Sequence, residues 1–158
     1  MAVESLDHYS VRTRNVERSV GFYESALGLR RGRRPAFNFP GAWLYRTTQD
    51  GATVGTSVVH IVGIDPNDSA GLSDYLGDQP LSPQAGTGSL DHIAFVASDI
   101  ADMYARLQQQ KIGFRQRRVP NLDLHQIFIA DPDGVTIELN YSHPDDVLAG
   151  QQSLAAAA

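Results

Sequence analysis

The 158-residue sequence predicts an α+β fold, two tandem βαβββ modules forming a partly open mixed β-barrel around a metal site. Three observations predict it. Leu6-Asp7-His8 returns as Leu90-Asp91-His92, and each triplet opens a strand-like run that leads into a helix. Gly28-Leu29-Arg30 through Pro35 is answered by Gly113-Phe114-Arg115 through Pro120, and the Asp50-Gly51 turn by Asp133-Gly134. After each turn a β-type run carries one polar residue at its middle, His60 in Val58-Val59-His60-Ile61 and Glu138 in Thr136-Ile137-Glu138-Leu139. A chain that repeats once, with a metal-capable residue at corresponding points of both copies, points to a pseudo-twofold site built from His8, His60, His92 and Glu138.

The elements follow in order. Leu6 to Thr13 alternates around His8, Ser10 and Arg12, as a half-buried strand does. Asn15 caps a helix whose apolar residues, Val16, Val20, Tyr23 and Leu27, fall at helical spacing, and Gly28 stops it. Strands are predicted near Arg30 to Asn38, Ala42 to Thr48 and Thr56 to Val62, with turns at Phe39-Pro40-Gly41 and Gln49-Asp50-Gly51. Residues 5–63 make the first module; residues 64–89, rich in Asp, Pro, Ser, Gly and Asn, make a linker with one helical turn near Gly71 to Leu76. The second module, residues 90–142, opens with a strand from Leu90 to Ala97. Ser98 or Asp99 caps a helix reaching about Lys111, and Gly113 ends it. Strands near Phe114 to Val119, Leu124 to Ala130 and Val135 to Tyr141 follow, the last two joined by Asp131-Pro132-Asp133-Gly134. Residues 143–158 form a C-terminal tail, of which Gln151 to Ala158 is expected to be a disordered end outside the fold.

Side chains alternate between strand faces, so each strand offers every second residue to the concave side. His8 and His92 sit on the first strand of each module, His60 and Glu138 on the last. If those strands are neighbours, up to four nitrogen and oxygen donors converge on one divalent ion, and the set suits Zn, Fe(II), Mn, Co or Ni without choosing among them. His125 and Gln126 are adjacent on the seventh strand, so only one of them faces the site. If it is His125, it is the natural acid or base beside the ligands. Trp43, Tyr45, Phe37 and Phe128 line either a substrate pocket or the core.

Composition narrows the class. With 42% hydrophobic and 20% charged residues the chain has the make-up of a soluble globular protein. Thirteen basic against 18 acidic residues leave a net charge of −5, which gives no broad footprint for nucleic acid or an anionic membrane. Two local exceptions, Arg30, Arg31, Arg33 and Arg34 and then Arg115, Arg117 and Arg118, are either exposed strand faces or a rim that attracts an anionic substrate. There is no Cys, so thiolate ligands and nucleophiles are excluded. No signal-like start and no apolar run of membrane-spanning length is evident, so a cytoplasmic location is expected.

Leu6-Asp7-His8, with Val16-Glu17-Arg18-Ser19-Val20-Gly21-Phe22-Tyr23 and Leu27-Gly28-Leu29, resembles the opening of the vicinal oxygen chelate superfamily. Asp91-His92-Ile93-Ala94-Phe95 resembles the opening of its second module, and Asp131-Pro132-Asp133-Gly134 with Ile137-Glu138-Leu139 its closing hairpin. The superfamily includes glyoxalase I, methylmalonyl-CoA epimerase, extradiol dioxygenases, and fosfomycin and bleomycin resistance proteins. The resemblance implies metal ligation by the same His8, His60, His92 and Glu138. It implies a small-molecule substrate bound through two adjacent oxygens, and a homodimer in which modules of two chains can pair. Proton transfer of the glyoxalase or epimerase kind, with Glu138 or His125 as the catalytic group, fits a four-ligand set. A ring-cleaving extradiol dioxygenase with Fe(II) or Mn(II) is the alternative, and there three ligands suffice and His60 is displaceable. A non-catalytic drug- or metabolite-binding protein is the third.

Overall fold

The computed structural model describes residues 5–65, 67–76, 86, 90–119 and 122–156. By its contacts the chain divides into two compact units, Met1–Gln84 and Ala85–Ala158. Each holds one four-stranded mixed sheet, and neither sheet closes on itself.

In the first unit, β1 (Tyr9–Thr13) leads into α1 (Val16–Leu27), followed by β2 (Arg30–Arg31), β3 (Gly41–Thr47) and β4 (Thr53–Gly63) in the spatial order β1-β4-β3-β2. Asn15 caps α1 by accepting from the Arg18 amide, and Gly28, at φ 69°, ends it in the left-handed conformation that glycine adopts without strain. β1 pairs parallel to β4 with Ser10 opposite His60, and β3 pairs antiparallel to β4 with Trp43 opposite His60. Residues paired across strands share a face. Val11, Leu44, Val59 and Ile61 are therefore buried under α1, while Trp43 and His60 lie on the other face.

The predicted strand from Arg30 to Asn38 shrinks to two residues. Gly32 makes one last bond to the Trp43 carbonyl, and Pro35, which has no amide hydrogen, falls where the ladder would continue. β4 starts earlier than predicted, through register shifts around Tyr45 that Gly55, at φ 72°, accommodates. Within the stretch read as a linker, α2 (Ala70–Leu76) packs Leu72 against Phe39 and Val62. Gly71 is required there, because any side chain would strike the Asn38 backbone. The rest of that stretch at 66, 77–85 and 87–89 lies outside the described residues.

The second unit repeats the order. β5 (Ile93–Val96), α3 (Ile100–Gln109), β6 (Phe114–Arg118), β7 (His125–Ala130) and β8 (Thr136–Tyr141) give a sheet in the order β5-β8-β7-β6. Of the two capping candidates Asp99 is the cap, accepting from the Asp102 amide.

The C-terminal stretch corrects the expectation of a disordered tail. Pro144–Ala156 is a thirteen-residue helix, α4, that buries Val147 and Gly150 against β6, β7 and α3. Pro144 at its first position, with Asp145 and Asp146 in its first turn, is a sequence start signal for a helix. The Asp146 carboxylate also accepts from the Asp99 and Ile100 amides at 3.2 and 2.8 Å, tying α4 to the start of α3. No helix among the described residues is long and apolar enough to cross a membrane.

Candidate metal centre

Both predicted first-strand histidines stand just ahead of their strands, on the face that the helices α1 and α3 leave uncovered. Each is held by the aspartate before it: His8 Nδ1 lies 2.6 Å from Asp7 Oδ2, and His92 Nδ1 lies 2.7 Å from Asp91 Oδ2. A carboxylate accepts, so Nδ1 carries the hydrogen and Nε2 is left with its lone pair. This arrangement orients an imidazole for a metal and fixes its tautomer. The aspartates were not singled out from the sequence, although the repeated Leu-Asp-His triplet was the signal for them.

In the second unit His92 and Glu138 come together, with His92 Nε2 3.3 Å from Glu138 Oε2. Glu138 is buried, at 5% exposure. With the Nδ1 hydrogen given to Asp91, the Nε2 lone pair and the carboxylate oxygen face each other, and two acceptors so close need a cation or proton between them. Their separation is near the ~3 Å expected of adjacent ligand atoms on an ion with bonds of about 2.0–2.2 Å. The pair fits a divalent ion.

A chain of side chains fixes the other carboxylate oxygen. Arg117 Nε donates to Gln126 Oε1 at 2.7 Å, Gln126 Nε2 donates to Asn140 Oδ1 at 2.9 Å, and Asn140 Nδ2 donates to Glu138 Oε1 at 2.7 Å. Arginine can only donate, so both amides are oriented by it. Glu138 is left with Oε2 for a ligand or a proton. Gln126 and Asn140 were not assigned this role from sequence, although the spacing of Glu138 and Asn140 places them on one face. Phe128, paired with Glu138 across the strands, stands edge-on to His92 at 6.1 Å and carries the Arg115 guanidinium 3.8 Å above its ring.

The first unit is different. His60 shares the face of His8, but the two rings are stacked, 3.7 Å between centroids and 25° between planes. Trp43 stacks on His60 in turn, at 4.1 Å and 2°. Imidazole lone pairs lie in the ring plane, so rings stacked at this spacing hold them in separate, nearly parallel planes that do not meet at a nearby point. His60 Nε2 is moreover 2.8 Å from Ser57 Oγ. Burial first, and then electrostatic repulsion with the stacked His8 ring, push the His60 pKa down to about 4. The expected convergence of His8 and His60 on one ion is thus not present: His60 is a neutral slab in a three-ring stack. Within either unit, the described residues place no three His, Asp or Glu side chains together as metal ligands.

His125 is likewise corrected. It pairs across the strands with Tyr141 on the helix-covered face, opposite to Glu138, and is fully buried. Its Nε2 lies 3.0 Å from Gln116 Oε1 and 3.3 Å from the Tyr104 hydroxyl, while Nδ1 has no partner among the described residues. Its ring packs on Gly150 of α4 so closely that a Cβ there would overlap it. Burial lowers its pKa. His125 is a structural histidine, and alternation gives the site face to Gln126.

Residues 5–139 match the family model of the Glyoxalase/Bleomycin resistance protein/Dioxygenase superfamily. The chain belongs to this superfamily. Among curated relatives of this superfamily chain, "Glyoxylase I 4" of Arabidopsis thaliana is 28% identical over 138 residues, covering 85% of this chain and 69% of that protein. Among solved structures, a variant of the genomically encoded fosfomycin resistance protein of Listeria monocytogenes, complexed with Mn(II) and 1S,2S-dihydroxypropylphosphonic acid, superposes with a TM-score of 0.62 at 14% identity. That match covers 94% of this chain and 99% of the Listeria chain. Lactoylglutathione lyase from Agrobacterium tumefaciens superposes with a TM-score of 0.53 at 16% identity, covering 85% and 91% of the two chains. At these identities the structural matches establish the fold.

Proposed function

We propose that the chain is a divalent-metal enzyme that binds a small substrate through two adjacent oxygens, with His92 and Glu138 as metal ligands in the second unit and His8 presented for a metal in the first. The observation that carries this reading is the pair of facing acceptors, His92 Nε2 and Glu138 Oε2 at 3.3 Å, with the histidine locked by Asp91 as His8 is by Asp7. An imidazole and a carboxylate on one ion leave positions open for exogenous ligands. The ion, when bound, supplies a Lewis acid that draws charge from the two substrate oxygens.

The remaining work falls to the chain's own residues. Asp7 and Asp91 hold the imidazole tautomers, and Arg117, Gln126 and Asn140 hold Glu138 with one oxygen free. A proton leaving the carbon beside the chelated oxygens needs a base, and His60, held flat between Trp43 and His8 with its Nε2 on Ser57, is not placed to take it. Glu138, whose Oε1 stays on Asn140 and whose Oε2 would release the ion as the two substrate oxygens bind, is the group we assign to that proton. The name of the 28%-identical relative supports proton transfer of the glyoxalase or epimerase kind.

A second reading, ring cleavage of a catechol-like substrate by a dioxygenase, is favoured by the withdrawal of His60 from the ligand set. The test is metal loading followed by two assays. Solvent deuterium entering a 2-oxo or 2-hydroxy substrate, without oxygen uptake, supports the first reading. Oxygen uptake with catechols replaces it by the second. Failure to take up any of Mn, Fe, Co, Ni or Zn overturns both.

A further inference from the structure

Where β2 breaks off, the first unit builds a feature with no counterpart among the described residues of the second. The stretch from Gly28 to His60 is seven residues longer than that from Gly113 to Glu138, and it includes Arg34-Pro35-Ala36-Phe37-Asn38-Phe39-Pro40. This loop, β3 and α2 frame a shallow cleft lined by Arg34, Phe37, Phe39, Trp43, His60 and Tyr75, among others. The enclosed space is about 20 Å³, room for roughly one water, so a ligand ring would lie at the open mouth against Phe37 and Tyr75.

The aromatic side chains form a wall. Phe37 contacts Phe39, Tyr75 and Trp43 at centroid distances of 5.2, 5.7 and 6.3 Å. Phe37 is 37% exposed and Tyr75 is 49% exposed, so two large rings are left open to solvent at the mouth. Arg34 lies over Phe37 and Phe39, 4.9 and 5.0 Å from their centroids. Its Nη2 donates to the Phe39 carbonyl at 3.0 Å, and among the described residues it meets no carboxylate within salt-bridge distance. Burial lowers its pKa, the direction taken by a cation withdrawn from water, and Tyr75 offsets this only in part.

A half-buried guanidinium beside open rings calls for a particular ligand. An aromatic cage alone would suit a cation, but Arg34 already occupies that role and repels a second positive charge. Its remaining N–H groups match the planar fork of a carboxylate. We infer that this cleft binds a small aromatic carboxylate, its ring against Phe37, Trp43 and Tyr75 and its carboxylate on Arg34. The inference rests on the proposed function in one respect: His60, the inner wall, stacks on His8, so the occupant is the substrate of the site to which His8 contributes.

Trp43 is the chain's only tryptophan, so its emission reports the cleft directly. Metal-stripped protein is titrated with phenylacetate, with its neutral counterpart phenylacetamide and with acetate. Phenylacetate should change the Trp43 emission saturably and bind about tenfold more tightly than either control, as a charge-assisted contact requires. Arg34→Gln should erase the preference for phenylacetate over phenylacetamide while leaving the latter's affinity in place. Tyr75→Ala, at the exposed end of α2, should weaken both ring ligands alike and serves if the arginine variant misfolds. Equal binding of acid and amide, or no response to phenylacetate at millimolar concentration, overturns the assignment. Metal uptake is measured on the same samples. A chain that takes up metal but not phenylacetate refutes only the cleft, and one that binds phenylacetate but no metal refutes only the metal reading.

Discussion

In both units a histidine just ahead of the first strand gives its Nδ1 hydrogen to the preceding aspartate, at 2.6 Å in one and 2.7 Å in the other. One strand away the copies diverge. Glu138 points an oxygen at His92 and is braced behind by Asn140, Gln126 and Arg117. His60 lies flat between Trp43 and His8 and ties its Nε2 to Ser57. The scaffold of a duplicated fold keeps the position, whereas the neighbours across the strand decide its use: Trp43 stands opposite His60, and Phe128 opposite Glu138. An indole face invites stacking, and a phenyl edge beside a histidine leaves the carboxylate free.

The largest expected effect breaks the second unit's side of the comparison. Glu138→Ala and His92→Ala should each lower Zn(II) or Mn(II) affinity by more than the ~10–100-fold typical of outer-shell changes, measured by competition with a chelator. Affinity unchanged in either variant would remove that residue from the ligand set. Next come the residues that orient ligands. Asp7→Asn and Asp91→Asn should each weaken the metal by about 10–100-fold, and Asn140→Ala by about tenfold. Ser57→Ala, which removes the hydroxyl bonded to the stacked histidine, should leave metal affinity unchanged. A loss in Ser57→Ala equal to that in Asp7→Asn would mean that His60 is a ligand after all.

Much of this was legible in the sequence. The βαβββ order, the Asn15 and Gly28 ends of α1 and the Asp131-Gly134 hairpin follow from local chemistry that tertiary contacts did not override. The shortening of β2 was hidden because Arg30 to Arg34 has strand-like composition, and only Pro35 marks where the ladder fails. The helix α4 was concealed by an alanine- and glutamine-rich ending, although Pro144, Asp145 and Asp146 announce its start. Local alternation could not choose between His125 and Gln126, because the choice depends on which face α4 covers. The stacking of His60 is a register effect, requiring Trp43 to fall opposite it on β3, and no local pattern encodes that pairing.

The covered faces carry the comparison further, with smaller effects. Under α1 the first sheet buries aliphatic residues, whereas under α4 the second buries His125 against Gly150. Gly150→Ala should destabilise the protein by about 1–3 kcal/mol of overpacking, more than the ~1 kcal/mol that alanine gains over glycine within a helix. Denaturant midpoints decide this, and a stabilised variant would show that α4 does not rest on the His125 ring. The smallest effect is a pH dependence. Burial lowers the His125 pKa in the fold, so as pH falls below the ordinary value of about 6.5 the unfolded chain takes up a proton that the fold resists. Stability is therefore retained above that pH and lost below it, and His125→Gln should flatten the decline in urea titrations between neutral and mildly acidic pH. An unchanged slope would contradict the buried, neutral histidine.

The central claim is that the two last-strand residues, though related by the repeat, have parted roles. His60→Phe tests it most directly, because phenylalanine keeps a flat ring between Trp43 and His8 and removes both nitrogens. Metal per chain, measured after loading and gel filtration beside Glu138→Ala, should equal that of the wild type in His60→Phe and fall to background in Glu138→Ala. Loss of the metal from His60→Phe would place His60 among the ligands and contradict the account.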